Sequence, residues 1–530
     1  MIGADCRSRE PISPLQGFAY APASPNPFAP ANLMSRSRTE LAPAGLAFNP
    51  PRANHAALAV AAVGLVTAAR LVWLAVRPVG LYPDEAQYWF WAQHLALGYY
   101  SKPPLVAWVI ALTTALLGNS EFGVRAAAPL LHAGTALLVY ATAARLYDRR
   151  VGFWSALAYA TLPGTSLSSF IISTDAALMP CWAAALYAFV RAREPGGGRW
   201  WVAVGCAIGL GMLAKYAMGY WVVSALIYVV AARGERRHLP RLAAAIGLGL
   251  LFYLPNLWWN WHNGFVSYLH VRDNADLSGP LVHPTMLAEF FMSQFAVFGP
   301  LFFGGLIAVV LSRGAFAEPR ARLLGAFTFP TLALMLTISL LSRAQPNWAA
   351  PVYVSAVVLI VAWALARNWR GLVVASIALN VAAALVTFGA ADAAAALGHP
   401  LPAKLEPLHR LRGWHRLGEQ VGAALAAHPG LTLLTDDREV LASLIYYVHP
   451  HPFDATIWSP MPGIKNQWAL TNNLANHKGQ DFLAVTIHGL ADYMRPQFAA
   501  LIPLEEITIS PGPKGSRTYR LYIARDYRGR

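Results

Sequence analysis

Residues 55–76 read HAALAVAAVGLVTAARLVWLAV, and residues 81–89, which follow closely, read LYPDEAQYW. The first stretch is long enough to cross a bilayer, because a spanning helix needs about 20 mostly apolar residues. The second is a polar island in which Asp84 and Glu85 come directly after Pro83. Acidic side chains beside a membrane span are costly to place and are therefore functional candidates. Together the two stretches predict a membrane enzyme rather than a passive helical bundle.

The composition of the whole chain is that of a membrane protein. Hydrophobic residues make up 56% of the sequence and charged residues 13%, whereas a soluble domain carries about 25% charged residues. The net charge of +15 does not indicate nucleic-acid binding, because the basic residues cluster in short loops between apolar runs. The predicted fold class is therefore a polytopic α-helical membrane protein.

Eleven segments are predicted to span the membrane: residues 55–77, 122–146, 151–172, 176–193, 200–214, 217–233, 240–259, 286–312, 321–342, 348–366 and 370–391. One further apolar stretch, 103–118, decides the orientation. If it does not cross and the N-terminus is inside, the inside loops carry fifteen basic residues and the outside loops six. This bias agrees with the rule that cytoplasmic loops carry an excess of Lys and Arg. We therefore expect residues 103–118 to lie flat on the outer face as an amphipathic helix.

Three regions follow from this topology. Residues 1–54 are rich in Pro, Ala, Ser and Arg, which predicts a disordered cytoplasmic tail. Residues 55–392 form the transmembrane domain, with a first outer loop at 78–121. Residues 393–530 are predicted to form a small α/β domain on the outer face, with strands at 431–434, 481–487 and 518–523 and a helix that Asp436 and Asp437 cap.

The predicted topology places most unusual polar residues of the membrane half on one side, the outer face. These residues are Asp84 and Glu85, Lys102, Asp175, Lys215 and Tyr216, His262 and His270, and Gln345 and Asn347. The chain has 35 Arg and six Lys, and between residues 55 and 392 only Lys102 and Lys215 are lysines. Where Arg is the usual cation, a retained Lys indicates that a compact point charge is needed.

Each of these residues also has a structural interpretation. The two lysines could extend their side chains to the interface, and Asp84 and Glu85 could cap a helix over 84–95. Asp175 could cap the following span. His262 lies among tryptophans typical of an interfacial belt, where a histidine is more often a bystander. Two histidines and scattered acids do not form a metal motif, so no metal ligand is assigned; a divalent cofactor is left open.

The functional interpretation is one outer-face site. Lys102 and Lys215 would bind the phosphate of a lipid-linked substrate and stabilise it as it departs. Asp84 and Glu85 are the candidate catalytic residues, with Asp84 receiving a proton from an attacking hydroxyl. The other candidate substrate-binding residues are Tyr100, Asp175, Tyr216 and His262.

At these residues the chain resembles the polytopic glycosyltransferases of the GT-C fold, and in particular the bacterial protein-mannosyltransferase-like family. That family includes lipid A aminoarabinose transferases and rhizobial lipopolysaccharide-core galacturonosyltransferases. The resembling segments are PDEAQYW at 83–89, YYSKPPL at 99–105, EFGVR at 121–125, STDAAL at 173–178 and LAKY at 213–216.

The resemblance implies an inverting glycosyltransferase in the bacterial inner membrane. It would move a sugar from a polyprenyl-phosphate carrier to an envelope acceptor, lipopolysaccharide core or lipid A, on the periplasmic face. The family's essential loop aspartate matches Asp84, and its phosphate-contacting lysine matches Lys102. Aminoarabinose transferases carry a zinc-binding Glu immediately before that lysine, whereas this chain has Ser101. If the acceptor is a phosphate, no general base is needed and Asp84 would orient it.

Two other functions are kept as alternatives. The first is protein O-glycosylation with the same class of donor. The second is a transporter or flippase for a lipid-linked sugar, which would place ionisable residues near mid-span and repeat a broken-helix pattern in two halves. This sequence instead has its charges at one face and no matching halves.

Overall fold

The computed structural model describes residues 54–529 except residues 78, 275–281, 403–404, 407, 462, 490 and 513–514. The predicted cytoplasmic tail, residues 1–54, lies outside the described residues apart from Asn54. Residues from Ala53 onward form one compact unit.

Helices make up the first three quarters of that unit. They are α1 (His55–Val76), α2 (Pro83–Gln93), α3 (Leu105–Leu117), α4 (Glu121–Arg125), α5 (Ala127–Leu146), α6 (Arg149–Thr161), α7 (Pro163–Ser168), α8 (Thr174–Ala192), α9 (Trp200–Ala214), α10 (Met218–Ala231), α11 (Leu239–His262), α12 (Val266–Asn274), α13 (Pro284–Phe298), α14 (Pro300–Leu311), α15 (Pro319–Ala326), α16 (Phe329–Leu341), α17 (Tyr353–Ala366) and α18 (Arg370–Ala396).

Seven helical segments of the described chain are long and apolar enough to cross a membrane, or eight if the bent pair α13–α14 counts as one. The polytopic helical class is therefore confirmed. Several predicted spans are not single helices, and two of them are interrupted at a proline. Pro163 holds Leu162 in an extended conformation, so the span predicted at 151–172 breaks between α6 and α7. The span predicted at 286–312 bends by 115° at Gly299 and Pro300.

The C-terminal part of the described chain is α/β. Its helices are α19 (Trp414–Ala427), α20 (Arg438–Tyr447), α21 (Gln467–Thr471) and α22 (Ala491–Met494), and its strands are β1 (Thr432–Thr435), β2 (Thr456–Ile457), β3 (Phe482–Thr486), β4 (Phe498–Gly512) and β5 (Gly515–Tyr527). The five strands form one sheet in the order β2-β1-β3-β5-β4. The pairs β1–β2 and β1–β3 are parallel, and β3–β5 and β4–β5 are antiparallel.

An aromatic core joins α2 to this C-terminal part. The Trp89 ring meets the Tyr446 ring edge-on at 4.8 Å, and the Phe90 ring stacks on Trp468 at 5.2 Å. Trp89 and Trp468 are fully buried. Each buried aromatic side chain contributes about 1.5–3 kcal/mol relative to exposure. The packing of α2 on α20 therefore holds the C-terminal part over the loop that carries the acidic pair.

Candidate active site

The two adjacent carboxylates of α2 face different surroundings. Successive residues of a helix are about 100° apart, so Asp84, Gln87 and Tyr88 share one face while Glu85 and Trp89 share another. Asp84 keeps 42% of its side chain exposed, whereas Glu85 is completely buried. The helix therefore sends one carboxylate to the surface and the other into the protein.

Glu85 is a structural anchor. Its oxygens accept hydrogen bonds from Arg125 Nε at 2.9 Å, from the backbone N–H of Ile172 at 2.9 Å and from that of Tyr82 at 2.8 Å. The structure thus corrects one expectation. Glu85 does not fit the predicted catalytic role, because both of its oxygens are occupied and closed off from substrate. The buried Arg125 is its ion-pair partner.

We expect Arg125→Met to destabilise the protein by about 3–5 kcal/mol, because it would leave a buried carboxylate without its counter-charge. Thermal unfolding of the detergent-solubilised chain, followed by the loss of monodisperse protein, measures this effect. Arg145→Met is the matched control, since Arg145 pairs with Glu194 at the exposed surface, and little change is expected there. The double variant Glu85→Gln/Arg125→Met should recover part of the loss. Equal melting temperatures for the two single variants would contradict the anchor role.

Asp84 is held by a residue from the C-terminal part. Arg438 Nη1 donates to Asp84 Oδ1 at 2.8 Å and to Gln87 Oε1 at 2.8 Å. Arg438 is the first residue of α20, where Asp437 caps the helix by accepting from the backbone N–H groups of residues 439 and 440. Within the described chain, the second oxygen of Asp84 has no hydrogen-bond partner. That oxygen is the one available to a substrate.

Asp175 orients the second lysine. It lies in the first turn of α8. One of its oxygens accepts a hydrogen bond from Lys215 Nζ at 2.7 Å, and the other accepts one from Asn347 Nδ2 at 2.8 Å. The predicted alternative, that Asp175 caps its own helix, does not match these partners, because its carboxylate points to Lys215 and Asn347. Asp175 and Lys215 are both largely buried, with 9% and 19% of their side chains exposed. Three distant segments of the sequence thus meet at one carboxylate.

Lys102 lies within electrostatic reach of both ion pairs and belongs to neither. Burial and the positive charge of Lys215 lower the pKa of Lys102, while Asp84 and Asp175 act in the opposite direction. Among the residues that the structure describes, no carboxylate forms an ion pair with Lys102. Arg438 pairs with Asp84 and also lies 3.8 Å from Glu439, and Lys215 pairs with Asp175, so Lys102 adds a positive charge beside cations that already have carboxylate partners. This excess suits an anionic ligand.

Backbone and side-chain contacts fix the loop that presents Lys102. The Tyr99 N–H donates to the Lys102 carbonyl at 3.1 Å, and Ser267 Oγ donates to the Tyr99 carbonyl at 2.8 Å. The Tyr100 N–H donates to Gln467 Oε1 at 2.8 Å, so α21 also holds the loop. The position of Lys102 therefore depends on contacts with α12 and the C-terminal part.

Tyr100 and His270 form one wall of the cluster. Their ring centroids are 5.1 Å apart, and Tyr100 is buried. Burial, followed by the nearby charges of Lys102 and Arg438, lowers the pKa of His270 to about 4. His270 is consequently neutral at neutral pH and adds no cation to the site.

The structure does not bring two predicted residues into this cluster. Tyr216 stacks on Tyr268 at 5.3 Å and faces Asn256, within an aromatic group beneath Lys215. His262 is exposed and contacts Trp258 through both its ring and its Nδ1 atom, which lies 3.0 Å from the Trp258 carbonyl oxygen. His262 thus contacts its own helix and lies outside the charged cluster.

Two residues of the site were not identified from the sequence. Arg438 directly follows the predicted capping pair at the start of a helix, but nothing local links it to Asp84. Gln87 stands three residues after Asp84, so it lies on the same helix face. Asn347 had been noted only as an outer-face polar residue. Among the described residues, no group of three His, Cys, Asp or Glu side chains is arranged to hold a metal ion.

A cavity of about 330 Å³ adjoins Asp175 and Asn347. It extends between the helices of the bundle, where Tyr159 of α6, Met179 of α8 and Tyr353 of α17 line it. The cavity thus runs from Asp175 and Asn347 into the helical bundle, and neither Lys102 nor Lys215 lines it. A mostly apolar cavity with a few polar groups at one end is typical of a ligand-binding site.

Comparison with known proteins identifies relatives of this chain. Residues 101–259 match the family model described as dolichyl-phosphate-mannose-protein mannosyltransferase. The chain is 33% identical over 383 residues to the lipid A galacturonosyltransferase RgtD of Rhizobium johnstonii, covering 71% of this chain and 80% of that protein. It is also 33% identical over 196 residues to an undecaprenyl phosphate-α-4-amino-4-deoxy-L-arabinose arabinosyl transferase of Pseudomonas aeruginosa, covering 33% of this chain and 35% of the relative.

The fold has solved counterparts. The crystal structure of ArnT from Cupriavidus metallidurans in the apo state matches with a TM-score of 0.60 and 16% identity, covering 88% of this chain and 97% of that chain. The same protein bound to undecaprenyl phosphate matches with a TM-score of 0.60 and 17% identity over the same shares of both chains. At this identity the likeness establishes the fold alone.

Proposed function

The chain belongs to the family of membrane glycosyltransferases that includes the lipid A galacturonosyltransferase RgtD, and from this membership we propose that it transfers a sugar from a polyprenyl-phosphate carrier to lipid A or lipopolysaccharide core. The observation that carries the proposal is Lys102, a cation without an ion-pair partner in the described chain, set beside two ion pairs. A donor phosphate would supply the missing anion.

The donor would occupy the charged cluster and the adjoining cavity. Its phosphate would lie between Lys102 and Lys215, with Asp175 and Asn347 holding Lys215 in place. The first prenyl units would enter the cavity between the helices. A solved relative of the same fold was crystallised with undecaprenyl phosphate, which supports this class of carrier.

The proposed reaction is an inverting displacement at the sugar C1 atom. The acceptor hydroxyl forms a new C1–O bond as the C1–O bond to the phosphate breaks. The electron pair of the broken bond goes to the polyprenyl phosphate, where Lys102 and Lys215 stabilise the added charge. The free oxygen of Asp84 takes the hydroxyl proton, while Arg438 fixes the orientation of that carboxylate.

The membrane arrangement is part of the proposal. We place the protein in the bacterial inner membrane with about eleven crossings, α3 along the outer surface and residues 393–530 as a periplasmic domain. The α3 helix supports this placement: Val106, Ala107 and Ile110 are buried, while Leu112 and Leu116 are exposed. The site would then face the periplasm, where lipopolysaccharide acceptors are accessible.

The purified chain, assayed with labelled polyprenyl-phosphate sugars, tests the function. Galacturonic acid, aminoarabinose and mannose donors would each be offered with lipid A, lipopolysaccharide core or a peptide. Transfer to a lipid or core acceptor supports the proposal, and the preferred donor identifies the sugar. Transfer only to peptide would support protein glycosylation. Movement of the lipid-linked sugar across the membrane of vesicles, without transfer of the sugar to an acceptor, would support a transporter.

We expect Arg438→Gln to lower the rate of transfer by about 10–100-fold, because charged hydrogen bonds contribute about 1.5–3 kcal/mol. Arg438 contacts Asp84 rather than substrate, so it is a positioning residue. Arg438→Lys should restore part of the rate. Arg520→Gln, which removes an arginine paired with Glu506 at the exposed surface of the β4–β5 hairpin, is the control. A full rate in Arg438→Gln would mean that α20 covers the site without orienting it.

A further inference from the structure

A lone arginine lies inside the first spanning helix. Arg70 Nη2 donates to the Ala160 carbonyl at 2.6 Å and to Ser166 Oγ at 2.9 Å, and its Nη1 donates to Ser169 Oγ at 3.0 Å. All three acceptors are neutral. Within the described part of the chain, no carboxylate pairs with Arg70, so its positive charge has no counter-ion.

This cation borders an apolar groove. The groove has a volume of about 330 Å³ and lies between α1, α7 and α18, with Ala69, Trp73, Phe170, Leu385 and Phe388 among its lining residues. A guanidinium carries five N–H donors, and three of them are used. The Nε–H group and one Nη1–H group therefore remain available at the edge of the groove.

The groove opens toward lipid. The helices α1 and α18 are the least buried of the candidate spanning helices in the described chain. In an apolar 18-residue stretch of each helix, 17% of the residues are buried inside the protein. Leu385 itself is 68% exposed. A molecule that enters between these helices must therefore come from the bilayer.

The groove is separate from the proposed donor site. Helix α7 forms the partition: Thr165 and Ser168 line the cavity that adjoins Asp175, whereas Ser166 and Ser169 line the groove. A lipid in the groove would thus not compete with the donor phosphate for Lys102.

We propose that this groove binds an anionic phospholipid, with its phosphate paired to Arg70 and an acyl chain along α1 and α18. The lipid supplies a counter-ion that none of the described residues provides, and an uncompensated charge at membrane depth is otherwise costly. Hydrogen bonds from a guanidinium to a phosphate are stronger than hydrogen bonds between neutral groups. The binding site goes beyond the transfer reaction, since no catalytic residue contributes to it.

Native mass spectrometry of the full chain in detergent, titrated with phosphatidylglycerol or phosphatidylcholine, tests the proposal. Wild type should bind phosphatidylglycerol more tightly than phosphatidylcholine. We expect Arg70→Met to weaken phosphatidylglycerol binding about 10-fold or more, the size expected for losing a charged hydrogen bond. Arg70→Lys should retain part of the affinity. The matched control is Arg77→Met on the same helix, because Arg77 already pairs with Asp392, and it should bind as wild type does.

A second variant guards against misfolding of Arg70→Met. Leu385→Trp fills the exposed side of the groove and leaves Arg70 with its partners, so it should also weaken binding of phosphatidylglycerol. Unchanged phosphatidylglycerol binding by folded Arg70→Met would overturn the proposal, as would equal binding of the two lipids by wild type. If wild type and Arg77→Met were dimers and Arg70→Met or Leu385→Trp were monomers, the groove would instead be assigned to a second copy of the chain.

Discussion

Asp84→Asn should reduce the rate of sugar transfer by about 10²–10⁴-fold, the range that general acid–base catalysis supplies. The substitution keeps the shape of the side chain, and the retained oxygen can still accept from Arg438. What it removes is the charge and basicity of the oxygen that has no partner in the described chain. The loss should therefore appear in kcat more than in the KM for the donor.

The control for Asp84→Asn is Glu506→Gln, which neutralises an exposed carboxylate paired with Arg520 on the β4–β5 hairpin. It should leave the rate unchanged. Thermal unfolding of Asp84→Asn should match wild type closely, because Asp84 is partly exposed and exposed pairs contribute little to stability. A fully active Asp84→Asn would remove the general base, and the acceptor would then be a group that needs no deprotonation, such as a phosphate.

The acidic pair shows how far sequence reasoning reaches. Proximity in sequence suggested that Asp84 and Glu85 act together, and both were candidates. Helix geometry separates them, because neighbouring positions face different directions. Which carboxylate faces the site depends on where Arg125 and Ile172 lie, and these residues come from α4 and from the connection before α8. The sequence pattern could identify the island but could not assign the roles within it.

The two lysines were predictable for a different reason. A chain that uses Arg almost everywhere retains Lys at positions 102 and 215, and this contrast is visible without any structure. The structure adds their different states: Lys215 is paired with Asp175, whereas Lys102 is not paired in the described chain. Pairing depends on contacts between distant segments, so composition could not reveal it.

Local signals predicted the fold better than long-range ones did. The helix after Pro83 and the Asp437 cap of α20 are confirmed, because turn and cap residues act over a few positions. The predicted capping role of Asp436 was wrong, because its carboxylate accepts from the backbone N–H groups of Ile487 and His488 instead. Strand β2 was missed, since two residues are too few for an alternating pattern. Strand β4 was missed as well; Pro503 interrupts its pattern and its register shifts nearby. The contact between Arg438 and Asp84 spans 354 positions, which no local signal encodes.

Lys102→Met should lower kcat/KM for the donor by about 10²–10³-fold, the size of effect seen when one preorganised electrostatic contact to a developing anion is removed. The loss should exceed that of Lys215→Met, because Lys215 is already partly neutralised by Asp175. Lys465→Met, which removes an exposed lysine paired with Asp273, is the control. Equal losses in the Lys102 and Lys215 variants would mean that the two lysines share the phosphate evenly.

The pH dependence distinguishes a charge effect from a packing effect at Lys102. Only the protonated lysine can pair with a phosphate, and burial followed by Lys215 lowers the pKa of Lys102. Because kcat/KM reports groups of the free enzyme, it should fall as the pH rises through that lowered pKa, below the range where an ordinary lysine deprotonates. Lys102→Arg remains charged throughout, so its profile should lose this alkaline limb even if its neutral-pH rate is reduced. An alkaline limb that persists unchanged in Lys102→Arg would assign the titration to another group and leave Lys102 with a packing role.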